Sequence, residues 1–239
     1  MRHKADFHIH TRDDPQGVQR HSAEELILKA EELGYSILAI TNKNLVTYSE
    51  RLASYAREHG ILLIPGMETR VSGKEVLILN YQGPRPATFE ELADVRAEHP
   101  EVLCIAPHPY FVLEKCLKDE LYKHSKLFDA VEYSHFYLPF LDLNKKAVNA
   151  AEELGKAVVA TSDAHQLSQF GRNYTWVRAP ERPTIDDVVE AIRGGHVEPH
   201  ARPLPLHRFA LTTLIVLTHQ WNTPVRRKLR EWNDRRRGR

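Results

Sequence analysis

Residues 5–40 read ADFHIHTRDDPQGVQRHSAEELILKAEELGYSILAI, and they spell out one complete β/α repeat. The apolar run at residues 5–9 reads as a short strand. Ser22 is placed as a helix N-cap, with Glu24 and Glu25 in the first turn, where acids favour the helix dipole. Leu26, Ile27, Ala30 and Leu33 then recur at helical spacing, Gly34 supplies the stop, and SILAI at 36–40 reads as the next strand.

Outward from this unit the pattern recurs. A helical stretch over 49–58 ends at Gly60, and ILLIPG at 61–66 follows. Further apolar runs are EVLILN at 75–80, VLCIAP at 102–107, FDAVEY at 128–133 and AVVATS at 157–162. Seven runs alternating with helices predict parallel strands in a closed or nearly closed barrel, with a flat doubly wound sheet as the alternative. TIDDVVEAIRGG at 184–195 predicts a closing helix between an N-cap at Thr184 and a terminator at Gly194. Beyond it, PHARPLPLHRF is punctuated by proline and reads as extended, and LTTLIVLTHQW reads as a short apolar helix packed on the barrel. The chain divides on this reading into a barrel over 1–206 and a helical, basic extension over 207–239.

The bulk composition fits a single soluble domain of 239 residues, 42% hydrophobic and 27% charged. Cys104 and Cys116 are too few to staple such a chain, which points to a reducing compartment, and the first ten residues lack the apolar core of a signal peptide. A cytoplasmic protein without membrane contact is the expectation. The net charge of +1 is unevenly spread, because residues 225–239 carry eight Lys or Arg against two acids, leaving about −5 on the rest. That tail, with Trp232, is a candidate nucleic-acid contact or a solvated terminus. No GxGxxG follows the first strand and no GxxxxGKS or GxxxxGKT occurs, which argues against a nucleotide cofactor.

The histidines and acids are informative by position. His8 and His10 end the first predicted strand, Asn42 and Lys43 follow the second, and Glu68 lies just past the third. His108 follows the fifth, Glu132 and His135 end the sixth, and Asp163 and His165 follow the seventh. In a barrel these ends converge on one face, where active sites are built. Residues two apart in an extended segment share a side, so His8 and His10 can reach one ion, and the same reasoning covers Asp163 and His165. Mixed imidazole and carboxylate ligation suits zinc, manganese or iron rather than calcium. Such ions lower the pKa of bound water, and the reaction class that follows is hydrolysis by a metal-bound hydroxide.

The segments DFHIHT, AITNKN, PGMET, APHPY and TSDAH, in this order between about residues 5 and 206, resemble the polymerase and histidinol phosphatase (PHP) family. The resemblance implies a distorted TIM-like (β/α)7 barrel, two or three divalent ions, and hydrolysis of a phosphomonoester or phosphodiester. By the same resemblance His8 and His10 match the opening His-x-His, Glu68 a carboxylate bridging two ions, His108 the histidine of a His-Pro motif, and Asp163 and His165 the closing Asp-x-His. Asp14, with Asp13 as competitor, stands near a further ligand position. Two positions depart from the family pattern. Asn42-Lys43 replaces Asp-His after the second strand, and Glu75 stands where many members carry a histidine but can still ligate. Lys43 has three readings, in order of preference: a clamp on substrate phosphate, a cation filling the space of an ion, or a ligand once deprotonated. A fourth is a side chain facing solvent.

Glu132 and His135 are read mainly as residues orienting ligands or substrate. His21 lies in the loop after the first strand and stays outside the ligand set. Arg12, Arg20 and Arg172 are candidate phosphate contacts, with Arg172 foremost. Asp163, His165, Lys43 and Arg172 make up the candidate catalytic group. A small phosphorylated substrate is the expected partner, with a nucleotide or nucleic acid as the alternative. The rival functions are an amidohydrolase-like attack on a C–N or C–O bond and a non-catalytic metal-binding regulatory domain.

Overall fold

The computed structural model describes residues 1–17, 19–206 and 209. Residues 1–135 and 142–202 form one compact unit, and, among the described residues, 136–141 with 203–206 and 209 belong to a second. In the second unit the Leu204 N–H donates to the Tyr137 carbonyl at 3.0 Å, and the rings of Phe136 and Phe209 stack at 4.3 Å. The apolar helix expected near 211–221 and the basic tail lie outside the described residues. Among those described, no helix is long and apolar enough to cross a membrane.

The first unit runs β1 (Arg2–Ile9), α1 (Ala23–Glu32), β2 (Ile37–Ile40), α2 (Glu50–Glu58), β3 (Leu62–Val71) and β4 (Lys74–Leu79). It continues through α3 (Phe89–Glu98), β5 (Leu103–Ala106), α4 (Glu120–Lys123), β6 (Ala130–Tyr133) and α5 (Asn144–Glu153), and ends with β7 (Ala157–Ala160), β8 (Tyr174–Arg178), α6 (Ile185–Arg193) and β9 (Val197–His200). The helix starts follow the sequence rules. Ser22 and Thr184 both make reciprocal capping boxes, with Glu25 and Asp187 respectively, and the Ser49 side chain accepts the Leu52 N–H.

The strands form one sheet in the order β7-β6-β5-β4-β3-β2-β1-β8-β9. Two features depart from an all-parallel set of seven. β4 runs antiparallel to both β3 and β5, because β3 and β4 are joined by Ser72 and Gly73 alone. Both have positive φ, +48° and +80°, as a two-residue hairpin turn requires. β8 and β9 are additional strands, each antiparallel to its neighbour, on the far side of β1.

Closure excludes the flat doubly wound alternative. Ile9 pairs with Ala164, the His10 N–H donates to the Ala164 carbonyl at 3.0 Å, and Thr175 Oγ1 is hydrogen-bonded to both the N–H and the carbonyl of Ala160 at 2.9 Å. The sheet is thus a nearly closed, distorted TIM-like barrel. Its interior is filled by Ala5, Phe7, Ile37, Ile64, Leu77, Ile105 and Val159, together with Val188 and Ile192 of α6. Leu38, Ile40 and Leu63 point the other way, into α1 and α2, and Val76, Ile78 and Cys104 into a second outer cluster with Leu92 of α3.

Candidate metal centre

One irregularity in β1 aims the site. Ala5 pairs with Ile37 and Asp6 with Leu38, but the next registered pair is Ile9 with Ile40, so β1 carries an extra residue relative to β2 between Asp6 and Ile9. A bulge of this kind re-aims side chains. Ahead of it Ala5 and Phe7 fill the barrel, whereas after it Ile9 packs outward among Leu26, Ile27 and Leu38. His8 and His10 are fully buried and meet residues from β3 and from the β5 and β7 ends.

Four contacts define a first donor set. His8 Nε2 and His10 Nε2 each lie 3.3 Å from Asp163 Oδ1, and they lie 3.6 and 3.4 Å from Glu68 Oε2. Ligands about 2.0–2.2 Å from a tetrahedral zinc ion stand about 3.3–3.6 Å from one another, so this spacing suits a shared cation. A second set is Glu68 Oε1, Glu75 Oε2 and His108 Nε2, with the histidine 3.8 and 3.7 Å from the two oxygens. Glu68 therefore offers one oxygen to each set. His8 Nε2, His10 Nε2, Glu68 Oε1 and Glu75 Oε2 are buried with no hydrogen-bond partner among the described residues. Glu75 Oε2 has the Lys115 ammonium at 2.8 Å, but buried polar atoms are almost always paired, so the other three donors, aimed into the two sets, fit divalent ions well.

The opposite ring nitrogens are held from behind. Glu132 Oε1 lies 2.8 Å from His8 Nδ1 and also receives the Thr161 hydroxyl, while Glu132 Oε2 accepts the His108 N–H at 2.6 Å. Asp14 Oδ2 lies 2.8 Å from His10 Nδ1 and accepts the Lys43 N–H at 2.8 Å, and its other oxygen accepts the Gln16 N–H. Glu132 thus holds the His8 ring and the His108 backbone from behind. Asp14, read there as a metal ligand, stands outside both donor sets because its oxygens are already committed to His10 and to backbone N–H groups.

Asp163 and His165 meet the centre for a different reason from the one the sequence suggested. Asp163 is not extended but left-handed, at φ +43°, and the His165 Nδ1 turns back to within 3.0 Å of the Asp163 carbonyl. The His165 ring lies 4.4 Å from that of His10. His108 is left-handed as well, at φ +29°. Non-glycine residues avoid this region, and strain of this sort concentrates at functional sites.

The charges support one another. Burial opposes ionisation of Asp163 and Glu68, but His8 and His10 hold Asp163 well below the usual carboxylate range, and Lys43 with the same histidines does so for Glu68. Burial likewise works against the His8 imidazolium and is outweighed by Asp163 and Glu132, which raise its pKa well above the ordinary value. For His108, burial is outweighed by Cys116 and by the Glu132 and Glu75 charges, giving about 9. His165 moves down to about 4, through burial and then repulsion from His10. Burial also lowers His135 and His21.

Lys43 does not face solvent. Its side chain is 13% exposed, and Nζ pairs with Glu68 Oε2 and, at 3.2 Å, with Glu75 Oε1. Asn42 is spent on structure: its amide donates to Thr11 Oγ1 and Thr47 Oγ1, and its oxygen accepts the Thr11 N–H. Arg12 and Arg20 are exposed, and Arg172 is half-buried in the β7–β8 connection. Two participants were not visible in the sequence. Cys116 Sγ lies 3.5 Å from His108 Nδ1, across a loop whose course no spacing rule gives. Asp6 is fully buried and accepts the His8 and Ser162 N–H groups, tying β1 to the segment after β7, and burial raises its pKa to about 7. A charge inside the run ADFHI was its only signal.

Residues 142–197, from just before α5 to the start of β9, match the family model described as PHP-associated. Three solved structures share the fold. PsfC from Pseudomonas syringae is 16% identical, with a TM-score of 0.64 over 92% of this chain and 99% of its own. A Bifidobacterium adolescentis protein assigned as a metal-dependent phosphoesterase is 16% identical, with a TM-score of 0.52 over 81% and 96%. The lesion-specific endonuclease EndoQ of Pyrococcus furiosus is 15% identical, with a TM-score of 0.56 over 83% of this chain and 58% of its own. The five ordered motifs, the matched segment and the shared barrel thus agree in their similarity to PHP-type proteins.

Proposed function

We propose that this chain is a metal-dependent phosphoesterase that hydrolyses a phosphomonoester or a phosphodiester. The observation that carries the reading is the pair of donor sets joined through Glu68, with bare buried donors aimed into both. His8, His10, Glu68 and Asp163 would hold one ion, and Glu68, Glu75 and His108 another. Zinc, manganese or iron suits such a set, and when bound supplies Lewis acidity, an activated water and neutralisation of phosphate oxygens.

The protein's part is preorganisation. Glu132 and Asp14 fix the His8 and His10 rings so that both Nε2 lone pairs face inward, and such supports tune ligand basicity. His165, kept neutral by burial, offers a lone pair rather than a proton. Arg172, on the segment that follows His165, is proposed as a phosphate contact.

A small phosphorylated substrate is the preferred partner. The endonuclease neighbour makes a nucleic-acid phosphodiester the competitor. A non-catalytic metal-binding domain is the second reading, favoured by the Lys43 ammonium on Glu68 and Glu75. Hydrolysis of an aryl phosphomonoester and a bis-aryl phosphodiester by metal-loaded protein, compared with Asp163→Ala, tests the proposal. Turnover of either ester that collapses in the variant supports it. Metal binding without turnover of either ester moves the weight to the second reading or to an amidohydrolase-like reaction.

A further inference from the structure

We propose that Lys43 is a resident cation of the centre, so that the chain binds two divalent ions and supplies a third positive charge as an ammonium group. The inference rests on the metal-centre reading above and specifies its composition.

Lys43 is held in place before its side chain is considered. Its N–H donates to Asp14 Oδ2 at 2.8 Å, its backbone bridges to that of Glu68, and the neighbouring Asn44 N–H donates to the Glu68 carbonyl at 2.8 Å. From this anchored position Nζ reaches Glu68 Oε2 and Glu75 Oε1, two oxygens on opposite arms of the β3–β4 hairpin. Lys115 Nζ adds a second ammonium 2.9 Å from Glu75 Oε1. Of the other oxygens of the same carboxylates, both beside His108, Glu68 Oε1 has no hydrogen-bond partner among the described residues and Glu75 Oε2 has Lys115 Nζ at 2.8 Å. Glu68 Oε2 is thus shared between Lys43 and the first donor set, and Glu75 lies between the Lys43 and Lys115 ammonium groups and the second set.

Among the described residues, the group around His165 falls short of a third full site. His10, Asp163 and His165 also lie close enough to surround an ion. His10 Nδ1 is committed to Asp14, however, so only Nε2 is left, and that atom already belongs to the first set. One lone pair serves one ion. Of that group, His165 and the second Asp163 oxygen are then left over, and Asn42, with its amide and oxygen hydrogen-bonded to Thr11 and Thr47, adds none. The ammonium does what an ion between Glu68 and Glu75 would do: it relieves the repulsion of two buried carboxylates and fixes their orientation.

The test is metal stoichiometry, read by elemental analysis after loading with manganese chloride and removing the excess. The native protein is expected to hold two ions per chain. Lys43→Ala, which opens the space between Glu68 Oε2 and Glu75 Oε1, is expected to take up a third, and Lys43→Arg, which restores a cation, to stay at two. Three ions in the native protein, or two in a folded Lys43→Ala, would overturn the proposal while leaving the phosphoesterase reading intact. If Lys43→Ala does not fold, the native count and Lys43→Arg still decide. No metal in the native protein would remove the centre itself.

Discussion

At the scale of single residues, the centre depends on what stands behind each ligand. The His8 ring is held by Glu132 at 2.8 Å, and supports of this kind are typically worth 10–100-fold in metal affinity. Glu132→Ala is therefore expected to weaken binding by about that factor in a manganese titration, with Glu132→Gln losing less. An unchanged affinity in Glu132→Ala would show that the ring is positioned by packing alone. The pH dependence has a definite sign. In the metal-free protein the His8 and His108 imidazoliums have pKa values raised above 6.5, to about 9 for His108. Their stabilising contribution is complete below pH 6.5 and is lost as the pH rises through those values. Ligation needs the neutral ring, so metal binding at pH 7 releases protons and strengthens toward pH 9. Calorimetry at pH 7 in two buffers of different ionisation enthalpy is expected to show this release, and buffer-independent heats would contradict it.

At the scale of elements, the β3–β4 hairpin carries Glu68 on one arm and Glu75 on the other, so its register sets their separation. Gly73 holds φ +80° with open space where a Cβ would stand, which makes the cost of Gly73→Ala conformational rather than steric. About 1–2 kcal/mol is expected, read from the denaturant midpoint, with metal content unchanged. A loss of metal along with stability would mean that the turn also controls the register.

The hairpin also marks the limit of what the sequence disclosed about the fold. EVLILN is recognisable as a strand, but an apolar run carries no direction, and it is the two-residue turn at Ser72–Gly73 that makes β4 antiparallel to β3. YTWVR and VEPH went unrecognised as β8 and β9 because their burial is partial and interrupted by Arg178 and Glu198. The capped helices α1, α2 and α6 were legible because cap, periodicity and terminator agree in each.

At the scale of the whole molecule, the first donor set joins distant parts of the chain: His8 and His10 at the end of β1, and Asp163 in the segment after β7, joined where Ile9 pairs with Ala164. An ion bound there crosslinks the closure of the barrel. Metal at about 100 times its Kd should add about 2.7 kcal/mol, which for a chain of this size is about 5–10 °C in Tm. Asp163→Ala is expected to show no such shift at the same concentration, and an equal shift in both would place the stabilising ion elsewhere. This convergence was legible from strand ends alone. The supporting contacts were only partly so, because Cys116 and Asp14 take their roles from loop paths that spacing does not encode.

The most direct test is anomalous diffraction from crystals soaked in manganese or zinc. Two peaks are predicted, one among His8 Nε2, His10 Nε2, Glu68 Oε2 and Asp163 Oδ1, the other among Glu68 Oε1, Glu75 Oε2 and His108 Nε2. Well-diffracting soaked crystals with no peak at either position would contradict the account.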